Sequence, residues 1–199
     1  MKKIALAVVL CCPILANAAG NYEAGEKKSA ICIACHGPKG ISSNPAWPSI
    51  AGQHAAYLVK QLQDFKEGKN RNAATMTPIV ANLNKQDMED LAAFYSEQPL
   101  PELATTKKYL ARGEQLYRGG DFRQHITACI ACHGPQGKGN AQAGFPVLSG
   151  QQPIYTIQQL QAFKDHGRQN DLNAIMQDIS MRMTKEDMDA VAHYVAGLH

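Results

Sequence analysis

The chain lacks both a strong charge of either sign and a long apolar run. Its formal net charge is only +3, from 20 basic and 17 acidic residues, and the basic residues form no stripe. A nucleic-acid-binding surface is therefore not predicted. No apolar stretch reaches the roughly 18 residues that a spanning helix needs. We expect no membrane span in the mature chain, while a peripheral association with a membrane stays open.

Spare cysteines and strand signals are also scarce. Of six cysteines, Cys11 and Cys12 lie within the first eighteen residues, and the other four all belong to two short motifs. None is left over for a structural disulfide, which excludes a disulfide-stapled fold. The remaining sequence shows helical periodicity broken by Gly/Pro loops and no convincing strand. The fold is therefore predicted to be all-α.

The N-terminus has the pattern of a secretory signal. Lys2 and Lys3 precede an apolar segment at residues 4–15, and residues 16–18 read Ala-Asn-Ala, a small-x-small cleavage site. We predict a signal peptide over residues 1–18, cleavage after Ala18 and a periplasmic location. The alternative is a retained membrane anchor, but no stop-transfer pattern follows the apolar segment.

Two nearly identical octapeptides dominate the rest of the chain. Residues 31–38 read ICIACHGP and residues 128–135 read ACIACHGP, and each contains Cys-x-x-Cys-His, the attachment signature of a c-type haem. On a helix, cysteines three residues apart share one face and can add to the two vinyl groups of one porphyrin. The histidine then reaches the iron. The predicted thioether residues are Cys32, Cys35, Cys129 and Cys132, and the predicted iron ligands include His36 and His133.

Two other interpretations of a Cys-x-x-Cys pair carry less weight. A thioredoxin-like redox pair needs a βαβ context, which this sequence does not offer. A structural zinc site needs four Cys or His ligands, and no further cysteine lies near either motif. Two copies of the motif in matching surroundings favour two covalently attached haem c groups.

The mature chain consists of two copies of one sequence repeat. Residues 47–53 (WPSIAGQ) return as 145–151 (FPVLSGQ), and Met76 and Met88 return as Met176 and Met188. Such self-similarity indicates two copies of one domain. We predict an N-terminal domain at 19–98, a Pro-containing linker at 99–105 and a C-terminal domain at 106–199.

Each domain is predicted to contain three helices. The first runs into the haem motif, the second follows the Gly-Gln pair, and the third closes the domain with Asn84 or Thr184 as its N-cap and an aspartate three residues on. Loops are expected elsewhere. The predicted helices are 23–35, 54–67 and 85–97, then 107–132 with an interruption near Gly119, 153–166 and 185–197.

A second axial ligand would decide what each iron does. A methionine thioether in that position raises the reduction potential, which suits electron transfer. Met76 lies in a predicted loop well beyond the first motif, and Met176 occupies the matching place in the second copy. Met181 and Met183 pair with residues that cannot bind iron, and Met188 lies on a helical stripe. We therefore predict Met76 and Met176 as ligands, although Met176 lacks the proline that follows Met76 two residues on.

With these motifs the chain resembles the cytochrome c4 family, dihaem periplasmic proteins with two tandem class I cytochrome c domains. The resemblance covers both Cys-x-x-Cys-His-Gly-Pro motifs, both aromatic-Pro-x-x-x-Gly-Gln loops and the closing HYVAGLH. It implies that the carbonyls of Pro48 and Pro146 bind the second ring nitrogens of His36 and His133. It also implies that the first and last helices of each domain cross near Gly25 and near Gly113.

The same resemblance implies a carrier of single electrons rather than an enzyme. Its expected redox partners are a quinol-oxidising complex (quinol-cytochrome c reductase) as donor and a terminal cytochrome c oxidase as acceptor. One alternative is a dihaem subunit of an enzyme, such as a sulfide-oxidising flavocytochrome. A dihaem peroxidase is less favoured, because two methionine ligands would leave no open iron position.

Overall fold

The computed structural model describes residues 20–198. The predicted signal peptide, with Cys11 and Cys12, lies outside this range, so its cleavage remains a prediction. Over residues 20–198 the regular structure is helical, and the only β pairing consists of three isolated bridges. No helix in this range is long and apolar enough to cross a membrane. The all-α prediction is confirmed.

The helices fall into two similar sets. Those of the N-terminal domain are α1 (Tyr22–Lys28), α2 (Ala30–His36), α3 (Ala55–Glu67), α4 (Met76–Val80) and α5 (Lys85–Ser96). Those of the C-terminal domain are α6 (Lys107–Glu114), which continues as a π-helical turn (Gln115–Gly119), then α7 (Ile130–His133), α8 (Pro153–Lys164), a 3₁₀ turn (Leu172–Ala174), α9 (Ile175–Arg182) and α10 (Lys185–Ala196).

Four helix predictions need correction. The helix expected at 23–35 is two helices that meet at Ser29. The helix expected at 107–132 ends before Gly120, whose φ of 69° is left-handed, and becomes helical again only at residue 130. Helices α4 and α9 were expected to be loops. Apolar residues recur every four positions at Ile175 and Ile179 of α9 and at Met183 directly after it, and this was the missed signal.

A glycine lies at the crossing of the first and last helices in each domain, as the resemblance implied. A Cβ at Gly25 would come within 2.0 Å of the backbone oxygen of Asp90, and one at Gly113 within 2.5 Å of that of Ala190. Only glycine therefore allows these helices to approach so closely. The crossing brings the start of each domain, just ahead of its haem motif, against its final helix.

The final helix of each domain begins at the predicted cap and supplies much of the core. Asn84 and Thr184 form capping boxes with Asp87 and Asp187, as predicted. Each core is built around α5 or α10. The buried apolar residues of the first core are Leu58, Leu91, Ala92, Phe94 and Tyr95, and those of the larger second core include Leu116, Tyr117, Leu160, Met183, Met188, Val191 and Val195.

Candidate haem sites

His36 ends α2 and is held in one tautomer. Its Nδ1 lies 2.8 Å from the carbonyl oxygen of Pro48. Because a carbonyl can only accept a hydrogen bond, Nδ1 carries the proton and Nε2 presents its lone pair. Burial lowers the pKa of His36, and the bond to Pro48 offsets this only in part. The imidazole is therefore neutral at neutral pH, the form in which histidine binds a metal.

His133 has the same arrangement in the C-terminal domain. Its Nδ1 donates to the carbonyl oxygen of Pro146 over 2.9 Å. Burial is again the main influence and lowers the pKa of His133. A fixed Nδ1–H bond to a carbonyl orients the ring and strengthens it as a metal ligand. Both domains thus offer a neutral, oriented imidazole whose Nε2 lone pair can bind a metal.

Two turns bring each proline carbonyl to its histidine. Gly37 and Gly134 follow the histidines with φ of 80° and 74°, which ends each helix and reverses the chain. The two loops are then closed by equivalent hydrogen bonds. In the first, the N–H groups of Ile50 and Ala51 donate to the oxygen of Gly40. In the second, those of Leu148 and Ser149 donate to the oxygen of Gly137.

None of the four predicted thioether cysteines forms a disulfide with another residue of the range 20–198. Cys35 is exposed and the other three are half-buried. Burial raises the pKa of Cys32, and it raises that of Cys129 to about 11. Reactive redox cysteines have a lowered pKa instead, so the thioredoxin-like interpretation gains no support. Over residues 20–198 no group of three or more His, Cys, Asp or Glu side chains is arranged to hold a metal ion.

Met76 and Met176 are each half-buried near the start of a short helix, α4 or α9. Met176 is held by Asp171, whose carboxylate accepts from the backbone N–H groups of Met176 (2.8 Å) and Gln177 (3.1 Å). The Gln177 side chain also donates to this carboxylate, over 2.7 Å. The missing proline is therefore replaced by a polar brace.

The other methionines of the C-terminal domain lie elsewhere. Met181 is 51% exposed, whereas Met183 and Met188 are buried in the protein core. Met88 is likewise buried. The choice of Met176, made from the repeat alone, stays a prediction.

Two buried arginines between the domains escaped the sequence analysis. Arg71 donates to Tyr155 Oη and Arg168 to Tyr57 Oη, both over 2.8 Å, so each arginine binds a tyrosine of the other domain. Their further hydrogen-bond acceptors are neutral amides, and no ion pair among residues 20–198 includes either arginine. The repeated Arg, together with the repeated Tyr and Gln, was the available signal.

These cations suit a group that brings carboxylates. A buried charge without a partner of opposite sign is costly, and a guanidinium stays protonated in proteins. Burial lowers the pKa of Arg71, which expresses that cost, whereas at Arg168 burial is outweighed by Tyr57 and Tyr155 and the pKa is raised. Haem carries two propionate groups at the edge of its porphyrin ring. The cysteine pairs, the neutral imidazoles and the buried guanidiniums therefore fit the cofactor predicted from the sequence.

Comparison with known proteins agrees with this architecture. The family model described as cytochrome c matches residues 22–97 and again 110–199. The chain is 41% identical to cytochrome c4 of Pseudomonas aeruginosa, with both chains fully covered. The crystal structure of reduced recombinant cytochrome c4 from Pseudomonas stutzeri superposes with a TM-score of 0.88 at 42% identity, over 91% of this chain and all of that one.

A second group of relatives has a different name. The chain is 36% identical to a protein of Thiomonas intermedia named thiosulfate dehydrogenase electron acceptor, over 98% of this chain and 91% of that protein.

Two cytochrome c domains and full-length likeness to dihaem proteins show that this chain carries two covalently bound haem c groups.

Proposed function

Because this chain belongs to the cytochrome c4 family of dihaem electron carriers, we propose that it carries single electrons in the periplasm between respiratory complexes. The donor would be a quinol-oxidising complex (quinol-cytochrome c reductase) and the acceptor a terminal cytochrome c oxidase. The observation that carries the proposal is the pair of neutral histidines, each at the end of a Cys-x-x-Cys-His motif and each with Nδ1 bound to a proline carbonyl, which leaves the Nε2 lone pair for the iron.

In the proposed sites, the two cysteines of each motif would attach one haem, and a histidine and a methionine would ligate its iron. Haem supplies a one-electron Fe(III)/Fe(II) couple when bound, and a methionine ligand raises its potential. The residues of the chain orient the imidazole, exclude water and offset charge. The assigned ligands are His36 with Met76 and His133 with Met176, the thioethers Cys32, Cys35, Cys129 and Cys132, and the orienting carbonyls belong to Pro48 and Pro146.

The proposal includes the absence of enzyme activity in the native state. Two protein ligands on each iron leave no position for peroxide or another substrate. Slow cyanide and peroxide binding to the ferric protein at neutral pH is the expected result. Fast binding of either ligand would contradict the six-coordinate assignment at one iron or both.

Electron transfer with isolated partners tests the carrier role. The mature protein should be reduced rapidly by quinol with purified quinol-cytochrome c reductase, and then oxidised rapidly by purified cytochrome c oxidase, as followed in the visible haem bands. Mixtures lacking each complex serve as controls. Slow transfer with both complexes would contradict the proposed position between them.

A second candidate is the electron acceptor of a thiosulfate dehydrogenase, favoured by the named relative in Thiomonas intermedia. Reduction by thiosulfate with a purified thiosulfate dehydrogenase, faster than by the quinol-oxidising complex, would support it. Purification from the native source tests the flavocytochrome alternative, since a tightly bound flavoprotein would make this chain an enzyme subunit.

A further inference from the structure

One glutamine of each domain binds a single residue of the other domain at two points. The side chain of Gln53 accepts from the N–H of Val147 and donates to its carbonyl oxygen, both over 3.0 Å. In the reverse direction, the side chain of Gln151 accepts from the N–H of Ser49 (2.9 Å) and donates to its carbonyl oxygen (2.8 Å). Gln53 and Gln151 occupy equivalent positions in the repeat.

The bound N–H groups belong to the peptide groups that hold the histidines. The N–H of Ser49 and the carbonyl of Pro48 are two ends of one peptide unit, and that carbonyl accepts from His36 Nδ1. A continuous chain of hydrogen bonds therefore runs from Gln151 through this peptide to His36. The equivalent chain runs from Gln53 through the Pro146–Val147 peptide to His133.

We propose that Gln53 and Gln151 are positioning residues that tune the histidine ligand of the opposite domain. The inference deepens the proposed function and rests on His36 and His133 being the iron ligands. A hydrogen bond accepted from a peptide N–H polarises that peptide and makes its carbonyl a better acceptor. A better acceptor at Nδ1 makes the imidazole more basic and a stronger iron ligand. Each domain thus sets part of the electron affinity of the other domain's haem.

The direction of the shift in reduction potential follows from this series of hydrogen bonds. Without the glutamine the peptide N–H loses its acceptor, its carbonyl binds the histidine N–H less strongly, and the histidine donates less charge to the iron. Less donation disfavours the ferric state and raises the reduction potential. Replacing a glutamine in one domain should therefore raise the potential of the haem in the other domain.

The histidine loop of the N-terminal domain makes additional contacts with the C-terminal domain. The C-terminal domain binds the first histidine loop at two further points, from Gln152 Nε2 to the oxygen of Ser42 (2.7 Å) and from the N–H of Tyr155 to the oxygen of Pro45 (3.2 Å). Gln152 is therefore a matched control. It spans the same interface with a side-chain amide but does not touch the peptide that holds His36.

Three variants of the holoprotein, each with one glutamine replaced by methionine, test the inference: Gln53→Met, Gln151→Met and Gln152→Met. The potentials of the two haems are measured by redox titration with NMR detection of each axial methionine methyl group, which separates the haems. Hydrogen exchange of each histidine Nδ1–H is followed in the reduced protein. Its rate reports on the bond to the proline carbonyl, which a merely structural role at the interface would leave unchanged.

Each of the first two variants is expected to change the haem of the domain that it does not belong to. Gln53→Met should raise the reduction equilibrium constant of the C-terminal haem about threefold, or about 30 mV for one electron, and speed Nδ1–H exchange at His133. Gln151→Met should do the same to the N-terminal haem and His36. Gln152→Met should leave both potentials in place. Equal shifts of both haems, a shift confined to the haem of the mutated domain, or no shift would each overturn the inference.

A further variant guards against loss of folding, because Gln53 Oε1 also accepts from the N–H of His54 at the start of α3. Gln53→Glu keeps an acceptor for the N–H groups of His54 and Val147, now a carboxylate oxygen, which binds an N–H more strongly, but it loses the amide donor to the Val147 carbonyl. It should lower the potential of the C-terminal haem more than that of the N-terminal haem, and the reverse order would contradict the relay. A wild-type protein without two His/Met haems would instead overturn the proposed function.

Discussion

The two domains place a buried tyrosine beside the haem motif, but they take it from opposite helices. In the N-terminal domain it is Tyr95, on the last helix, next to Cys32. In the C-terminal domain it is Tyr117, on the π-helical turn after α6, next to Cys129. The two tyrosines do not occupy equivalent positions of the repeat, since Tyr95 corresponds to Val195. A shared volume beside the first cysteine is thus filled in either of two ways.

The exchange explains why the chain leading into the haem motif differs between the domains. Ser29, small and buried, lets α1 pass almost directly into α2. Tyr117 is fully buried, and the chain widens into a π turn there before leaving the helix at Gly120. What stays the same is the part tied to chemistry: the histidine, the proline carbonyl and the glycine turn. The supports around it are free to vary.

The largest difference between the domains should come from deleting one attachment site. Replacing Cys129 and Cys132 by Ala should halve the covalently bound haem and destabilise mainly the C-terminal domain, because that haem would be held only by non-covalent contacts. A pyridine haemochrome count per chain and thermal unfolding measure both effects. The reciprocal change at Cys32 and Cys35 is the matched control. A full haem complement in either variant would contradict the assignment.

Loss of one methionine ligand should have the next largest effect. Met176→Leu and Met76→Leu should each abolish about half of the Met-to-iron charge-transfer band of the ferric protein and lower the potential of one haem. Met181→Leu, at an exposed position, should leave the band intact, and so should Met183→Leu in the core. If Met183→Leu removes half of the band while Met176→Leu does not, the ligand in the C-terminal domain is misassigned.

The sequence was sufficient for the parts of the site that depend on local spacing. The cysteine and histidine pattern, the two capping boxes and the correspondence of Met76 with Met176 were all visible in it. The Asp171 brace was not, because an aspartate that accepts from N–H groups five and six residues on has no fixed signature. The helix that contains Met176 was also missed, because eight residues with a single apolar face give a weak periodic signal.

Contacts between the domains could not have been predicted in the same way. Gln53 and Val147 are 94 positions apart, and Arg168 and Tyr57 are 111 apart. Neither pair follows from helical periodicity. Their common feature is that each has a partner in the other copy of the repeat. A polar residue repeated without a role inside its own domain is therefore a useful indication of an interface between copies.

The brace on Met176 should matter less than the ligand itself. Asn173 and Ala174 have φ of 51° and 56°, a strained conformation for residues other than glycine. Asp171 offsets that strain by accepting from the first N–H groups of α9. Asp171→Ala should lower the free energy of unfolding of the C-terminal domain by about 1 kcal/mol, as for loss of a helix cap. Ala74→Gly, in the segment before Met76, is the control and should leave that domain unchanged.

The smallest effects should separate the two tyrosines. Tyr117 Oη donates to the carbonyl oxygen of Gly134 over 2.5 Å, directly after His133, whereas the buried Tyr95 hydroxyl makes no hydrogen bond of normal geometry among residues 20–198. Tyr117→Phe should therefore cost about 1 kcal/mol of unfolding free energy, since the Gly134 carbonyl loses one hydrogen bond and keeps only the one from the N–H of Gly137. Tyr95→Phe removes a hydroxyl that only approaches Cys32 and Ser29 and should cost less. Chemical denaturation of each holoprotein variant measures both, and equal losses would show that the two tyrosines are interchangeable in role as well as in position.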